Sequence, residues 1–195
     1  MEYGLPKKVE IKGEWFDIRY DYRVMLDIFD ALNDDALDDE ERAYVVLNRF
    51  YMDFDALPDY DEAIEKFYWF ANGGQNADNG KKKPKLVDWG KDFSLVVSPV
   101  NRILGYEIRA MEYDPEANTG GVHWWTFLSA YMEIGDCLFS QVIRIRDLQA
   151  RGKALDKSDR EFYRRNRDII DLPEHRTVEE NRTIDMWLGK KETSP

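Results

Sequence analysis

The sequence predicts a mainly α fold (α+β): one compact multi-helix domain with a short N-terminal β-hairpin. Three observations predict it. Apolar residues recur at helical spacing in most segments beyond residue 20, whereas polar–apolar alternation around a glycine is confined to residues 8–20. A dense aromatic stretch, Val122-His123-Trp124-Trp125-Thr126-Phe127-Leu128, then offers a centre for a core. In it Trp124, Phe127, Leu128 and Tyr131 follow i, i+3, i+4, i+7, one helical stripe, with Trp125 and Met132 beside it. Each aromatic can bury about 150–250 Å², so this stretch belongs at the middle of the fold.

The remaining elements follow in order. Lys8-Val9-Glu10-Ile11-Lys12 alternates, Gly13 turns the chain, and Trp15-Phe16-Asp17-Ile18-Arg19-Tyr20 resumes β-favouring residues. Such a hairpin is marginal alone and must pack on helices. Asp21 is a good N-cap for a helix carrying Tyr22, Met25, Leu26, Phe29 and Leu32, which Asn33-Asp34-Asp35 ends. Asp38, Asp39, Glu40 and Glu41 open a second helix, with Ala43, Val46, Leu47, Phe50, Tyr51 and Phe54 on one face and Pro58 as its break. A third places Ala63, Ile64, Phe67, Tyr68 and Ala71 inward and stops at Asn72-Gly73-Gly74.

A flexible loop is expected over 72–86, with Lys81-Lys82-Lys83 and Lys85 as solubilising charge. Asp92 to Leu104 is helical, and Pro99 demands a kink or a late start. Tyr113 to Gly121 reads as a loop. Beyond the aromatic helix come one with Leu138, Phe139, Val142, Ile145 and Leu148, and another from Lys157 with Phe162, Tyr163, Ile169 and Ile170. The domain should span 1–173, with 174–195 a polar C-terminal tail whose apolar island is Met186-Trp187-Leu188.

Composition narrows function. No apolar run reaches membrane-spanning length, the first residues lack a signal-peptide core, and Cys137 is the one cysteine. A cytosolic protein is expected. The net charge of -11 resides in Asp21–Glu62, which holds fourteen Asp/Glu against three Arg. That acidic third disfavours nucleic acid and anionic membrane as partners.

Catalytic and metal-binding patterns are weak. Asp53 to Asp61 alternates acids like an EF-hand loop, but Pro58 occupies the glycine place and Ile64 the glutamate place. His123 could be a ligand or base, yet His175 is distant in sequence; beside two tryptophans it reads as a hydrogen-bonded core or helix-start residue. No phosphate loop, nucleophile elbow or zinc-helix motif occurs. The expectation is no enzyme, no cofactor and no metal.

The chain resembles a family of small bacteriophage proteins named after gene product fifteen, from tailed phages of Gram-positive bacteria. The resemblance rests on Leu5-Pro6, Asp21-Tyr22-Arg23, Phe67-Tyr68-Trp69-Phe70, His123-Trp124-Trp125-Thr126-Phe127, Lys157 to Tyr163 and Leu172-Pro173, in that order. It implies a product of the tail-gene cluster: a non-enzymatic tail assembly chaperone that coats the tape-measure protein, helps recruit the tail-tube protein, then leaves. Such a protein acts in the host cytoplasm and is absent from the mature virion. The alternative is a tail-completion or connector protein retained in the particle.

Interaction surfaces are then the points of interest. Arg160, Arg164, Arg165 and Arg167 lie in an Arg-rich, peripheral helix, Asp38 to Glu41 form an opposite pole, and Trp187 marks the tail. Opposite poles favour head-to-tail association between copies, so a homo-oligomer is expected. The hub, His123, Trp124, Trp125, Phe127 and Tyr131, is either buried core or a partner groove.

Overall fold

The computed structural model describes residues 4–76 and 84–172. Strands β1 (Lys8–Ile11) and β2 (Glu14–Asp17) pair antiparallel, with Val9 opposite Phe16 and Glu10 opposite Trp15. Lys12 (φ 50°) and Gly13 (φ 85°) form the connection, and positive φ at both positions suits the right-handed twist of a two-residue hairpin. Val9 and Ile11 are buried while Lys8, Glu10 and Trp15 face outward.

Helix α1 (Tyr22–Leu32) is capped by Asp21, whose side chain accepts from the Arg23 N–H, and ends at Asn33 as the sequence indicated. Helix α2 (Asp39–Phe50) starts with a capping box in which Asp38 and Glu41 each bind the other's backbone N–H. It stops at Phe50, well before Pro58, because the chain beyond β2 claims its end. Ile18 bridges Tyr51, the Arg19 N–H donates to the Phe50 carbonyl (2.7 Å), and the Arg19 guanidinium donates to the carbonyls of Asn48, Arg49 and Tyr51. The free acceptors of a helix terminus are thus satisfied by a strand from elsewhere.

Helix α3 (Tyr60–Ala71) is capped by Asp59 and ends at Asn72. Tyr68, expected inward, is exposed; Phe70 is fully buried in its stead, beside Ala63, Phe67 and Ala71. Helix α4 (Trp89–Leu104) begins ahead of Asp92 because Asp88 caps it, and it continues through buried Pro99, so the proline imposes no late start. A 3-10 turn (Ile108–Ala110) follows. The expected loop 113–121 contains a small ribbon, β3 (Tyr113–Asp114) against β4 (Thr119–Gly120).

Helix α5 (Trp124–Met132) is the aromatic hub, although Met132 projects into solvent at 74% exposure. Helix α6 (Leu138–Ala150) buries Phe139, Val142 and Ile145 and leaves Leu138 exposed. The last helix of the sequence reading is two: α7 (Lys157–Arg165) and α8 (Arg167–Ile170). They part at Asn166, whose side-chain amide donates to the Phe162 carbonyl (2.9 Å) and competes with helix continuation.

A main core unites the hairpin with α1–α5 and the start of α6. A smaller cluster of Val142, Ile145 and Ile170, with Phe162 and Tyr163 against it, fastens α7 and α8. No described helix is long and apolar enough to cross a membrane. The expected tail 174–195, including His175 and Trp187, and the middle of the expected loop 72–86 lie outside the described residues.

Candidate functional site

The hub is built by two distant chain crossings. Residues 20–22 run antiparallel to 122–124: the Tyr22 N–H donates to Val122 (3.0 Å), and the Trp124 N–H to Tyr20 (2.7 Å). Asp21, fully buried, uses Oδ1 to cap α1 and Oδ2 to accept the Val122 N–H at 2.7 Å. Arg23 pairs with that carboxylate and donates onward to the carbonyls of Ile108 and Met111. The carboxylate lies against Gly121 (φ 70°), where a Cβ would stand 2.9 Å from the Asp21 Cγ; glycine is required on both counts.

His123 is the N-cap of α5. Its Nδ1 accepts the Trp125 N–H at 3.0 Å, which leaves the proton on Nε2, and Nε2 donates to the Pro6 carbonyl at 2.8 Å. Burial, above all, pushes its pKa below the ordinary value. The ring also stacks on Tyr20, with centroids 5.3 Å apart. Both nitrogens are therefore engaged with backbone, which makes His123 the helix-start residue the sequence suggested.

The paired tryptophans close another helix. Trp124 Nε1 donates to the Ala71 carbonyl (2.9 Å) and Trp125 Nε1 to the Phe70 carbonyl (2.8 Å), so both indoles cap the C-terminus of α3. Trp124 and Phe127 are buried among Tyr22 and Phe29; Tyr131 is half-buried between Trp89 and Phe139. Thus the segments at Pro6, Asp21–Arg23, Trp69–Phe70 and His123–Phe127 converge on one hydrogen-bonded knot. Sequence periodicity could not reveal this, because these bonds join positions 50 to 120 residues apart.

Trp125 has a second aspect. One side packs edge-on against Trp69 (5.4 Å), and both rings open onto a surface groove with Leu5, Pro6 and Trp15. This part encloses about 690 Å³ and continues into a cleft of about 410 Å³ between β1 and the Glu65-Lys66-Trp69 side of α3. Trp15 is 61% exposed and Leu5 49%. Core and groove were alternatives for the hub; Trp124 and Phe127 take the first, and Trp125 borders the second. Trp15, Trp69 and Leu5 were missed as groove residues, since only the folded chain brings them together.

The charged surfaces are separate from this groove. Arg160, Arg164, Arg165 and Arg167 are all exposed, but Arg167 sits on α8 and not with the others on α7. Arg165 pairs with Glu161 and Arg167 with Asp171, while Arg160 and Arg164 have no ion-pair partner among the described residues. At the acidic pole Asp38 and Glu41 serve the α2 cap, Asp39 pairs with Arg42, and Glu40 is exposed. In the EF-hand-like stretch, Asp59 caps α3 and pairs with Lys12 at 2.9 Å. No group of three or more His, Cys, Asp or Glu with metal-holding geometry occurs among the described residues.

In comparison with known families, a family model described as Bacteriophage Gp15 protein aligns with residues 1–172. Searches of curated proteins and of solved structures returned no match.

Proposed function

The chain belongs to the bacteriophage Gp15 protein family, and from that premise we propose that it is a non-enzymatic tail assembly chaperone. Membership alone suggests a phage structural or morphogenesis protein. In the finer reading, the protein binds the tape-measure protein in the host cytoplasm, assists addition of tail-tube protein, and is left out of the mature virion.

The observation that carries this reading is the division of labour among the aromatics. The ring nitrogens of His123, Trp124 and Trp125 are spent on the fold, whereas the rings of Trp15, Trp69 and Trp125 are gathered with Leu5 on an open surface. An exposed tryptophan cluster suits a partner polypeptide, since aromatic anchors dominate binding energy. The guanidinium groups of Arg160 and Arg164, without an ion-pair partner among the described residues, add a cationic face for an acidic partner, or for the Glu40 side of another copy.

The test is co-expression with the tape-measure protein encoded nearby, followed by affinity pull-down and sizing. A many-copy complex that keeps the tape measure in solution supports the chaperone. Failure to associate at low salt, where charged surfaces act most strongly, together with a fixed copy number in purified particles, replaces it with a retained tail-completion or connector protein.

A further inference from the structure

Among the described residues the hairpin has one covered edge and one open edge. The Ile18 N–H donates to the Lys7 carbonyl at 3.0 Å, which fixes Lys7–Ile18, Val9–Phe16 and Ile11–Glu14 as the hydrogen-bonded pairs of the ladder. The N–H and C=O groups of Lys8, Glu10 and Lys12 consequently point away from β2. The Lys12 N–H is taken by the Glu62 carboxylate at 3.3 Å. On the other side of the hairpin, the Asp17 carbonyl and the Arg19 N–H are taken by Met52 and Phe50. The main-chain groups of Lys8 and Glu10 have no partner among the described residues.

Open strand edges are ordinarily blunted or covered, because they template pairing with another chain. This one forms a wall of the cleft between β1 and α3, at whose Pro6 end lie Trp69 and Trp125; Trp15, on β2 opposite Glu10, lines the same groove. Three properties define what fits. The unpaired N–H and C=O at alternate residues require an extended backbone. The indoles require an apolar side chain at the Pro6 end. Glu10 toward the turn, and Lys7 and Lys8 at the Pro6 end, call for a basic residue at one end of the segment and an acidic one at the other, while Glu65 and Lys66, adjacent on α3, offset each other.

We propose that β1 receives an extended segment of a partner protein as a third strand, paired through the main chain of Lys8 and Glu10 and anchored by an apolar residue on Trp15, Trp69 and Trp125. This is β-augmentation. It goes beyond the chaperone reading, which concerns a partner's identity and stands or falls on the pull-down; strand addition stands or falls on the edge amides of the chain itself.

The full-length protein is tested by amide hydrogen exchange. In the free protein the Lys8 and Glu10 amides exchange rapidly while those of Val9 and Ile11 are protected. Protection of Lys8 and Glu10 without any addition overturns the proposal: if it grows with protein concentration a second copy occupies the edge, and if it does not, the chain covers itself. The probe is then a seven-residue peptide, acetyl-Glu-Val-Thr-Val-Thr-Val-Lys-amide, together with a version N-methylated at alternate residues. The unmethylated peptide slows exchange at Lys8 and Glu10. Methylation weakens binding by about tenfold or more, as the loss of two main-chain hydrogen bonds implies.

Glu10→Pro separates pairing from folding. It deletes an outward N–H and leaves the β1–β2 ladder intact, as proline does on an edge strand. The variant should keep the parent melting transition and lose the peptide. A peptide that binds methylated and unmethylated alike, that binds Glu10→Pro as before, or that fails to bind, overturns strand addition.

Discussion

Arg146 on α6 holds Asp92 on α4 in a bidentate pair inside the protein, Nη1 to Oδ2 at 2.6 Å and Nη2 to Oδ1 at 2.9 Å. The guanidinium is 4% exposed and the carboxylate fully buried. The other Arg146 bonds go to the carbonyls of Leu86, Ile169 and Ile170, so all five of its N–H groups have acceptors. One side chain therefore ties α4, α6, the end of α8 and the segment entering α4.

Removing either charge strands the other in a dry site. Arg146→Ala and Asp92→Ala should each cost about 3–5 kcal/mol in denaturant unfolding. Arg146→Lys should rescue little, since an ammonium cannot reproduce the planar fork. The double change Arg146→Ala/Asp92→Ala should be milder than the sum of the single losses, because no charge is left unpaired. Strict additivity in that cycle would contradict the pairing.

Gly121 gives a sharper steric forecast. Gly121→Ala meets positive φ and the Asp21 carboxylate together, whereas Gly105→Ala at φ 79° meets nothing within 4 Å. The second change should cost roughly 1–2 kcal/mol for the left-handed backbone alone. The first should exceed it by at least about 1 kcal/mol, as Asp21 loses its bond to the Val122 N–H or its capping of α1. Equal melting shifts for the two variants would dismiss the contact as stabilising.

Histidine 123 makes the fold sensitive to mild acid. Its folded-state pKa is depressed, chiefly by burial, so the unfolded chain takes up the proton first as pH falls. Stability from this group is complete above the ordinary histidine pKa of about 6.5 and declines as pH drops below it, levelling off only under the folded-state value. Protonation would also place a hydrogen on Nδ1, where the Trp125 N–H now binds. His123→Asn can still cap α5 but cannot titrate. It should be less stable at pH 8, through loss of the ring stacking on Tyr20, and show a flatter stability profile from pH 7 to 5. The lowered pKa values of Asp59, Glu107 and Asp171 also remove stability on acidification, but near and below pH 4, and do not confuse this window.

What the sequence displayed was local chemistry. Asp21 announced a helix start because an N-cap works within three residues, Asp38 to Glu41 announced another as acids of a first turn, and the type of nearly every element followed from apolar period, whereas the Asp59 cap of α3 went unread. Boundaries set by distant partners were hidden. Helix α2 ends where Arg19 reaches its carbonyls, and Tyr68 yields its inward place to Phe70, which lies under Trp125 and His123. The burial of Arg146 was hidden as well, since nothing at position 146 signals a carboxylate 54 residues earlier. The groove was half legible: the Trp-Trp pair marked one border, while Trp15 and Trp69 belong to unrelated segments.

The tryptophans allow core and groove to be separated by experiment. Trp124 is buried against Phe29 and Phe127 and caps Ala71, so Trp124→Ala should cost about 3–5 kcal/mol or abolish folding. Trp124→Phe keeps most of the apolar bulk but leaves the Ala71 carbonyl without its donor, a loss of about 1–3 kcal/mol. Trp15, on the outer face of β2, should tolerate Trp15→Ala within about 0.5 kcal/mol, because little of it is removed from water. Chemical unfolding of the three variants decides this. If Trp15→Ala destabilises as much as Trp124→Phe, the indole supports the fold and the groove has lost its most exposed anchor. If its stability is unchanged while capture of a partner polypeptide falls, the indole is a binding residue carried by a hairpin that folds without it.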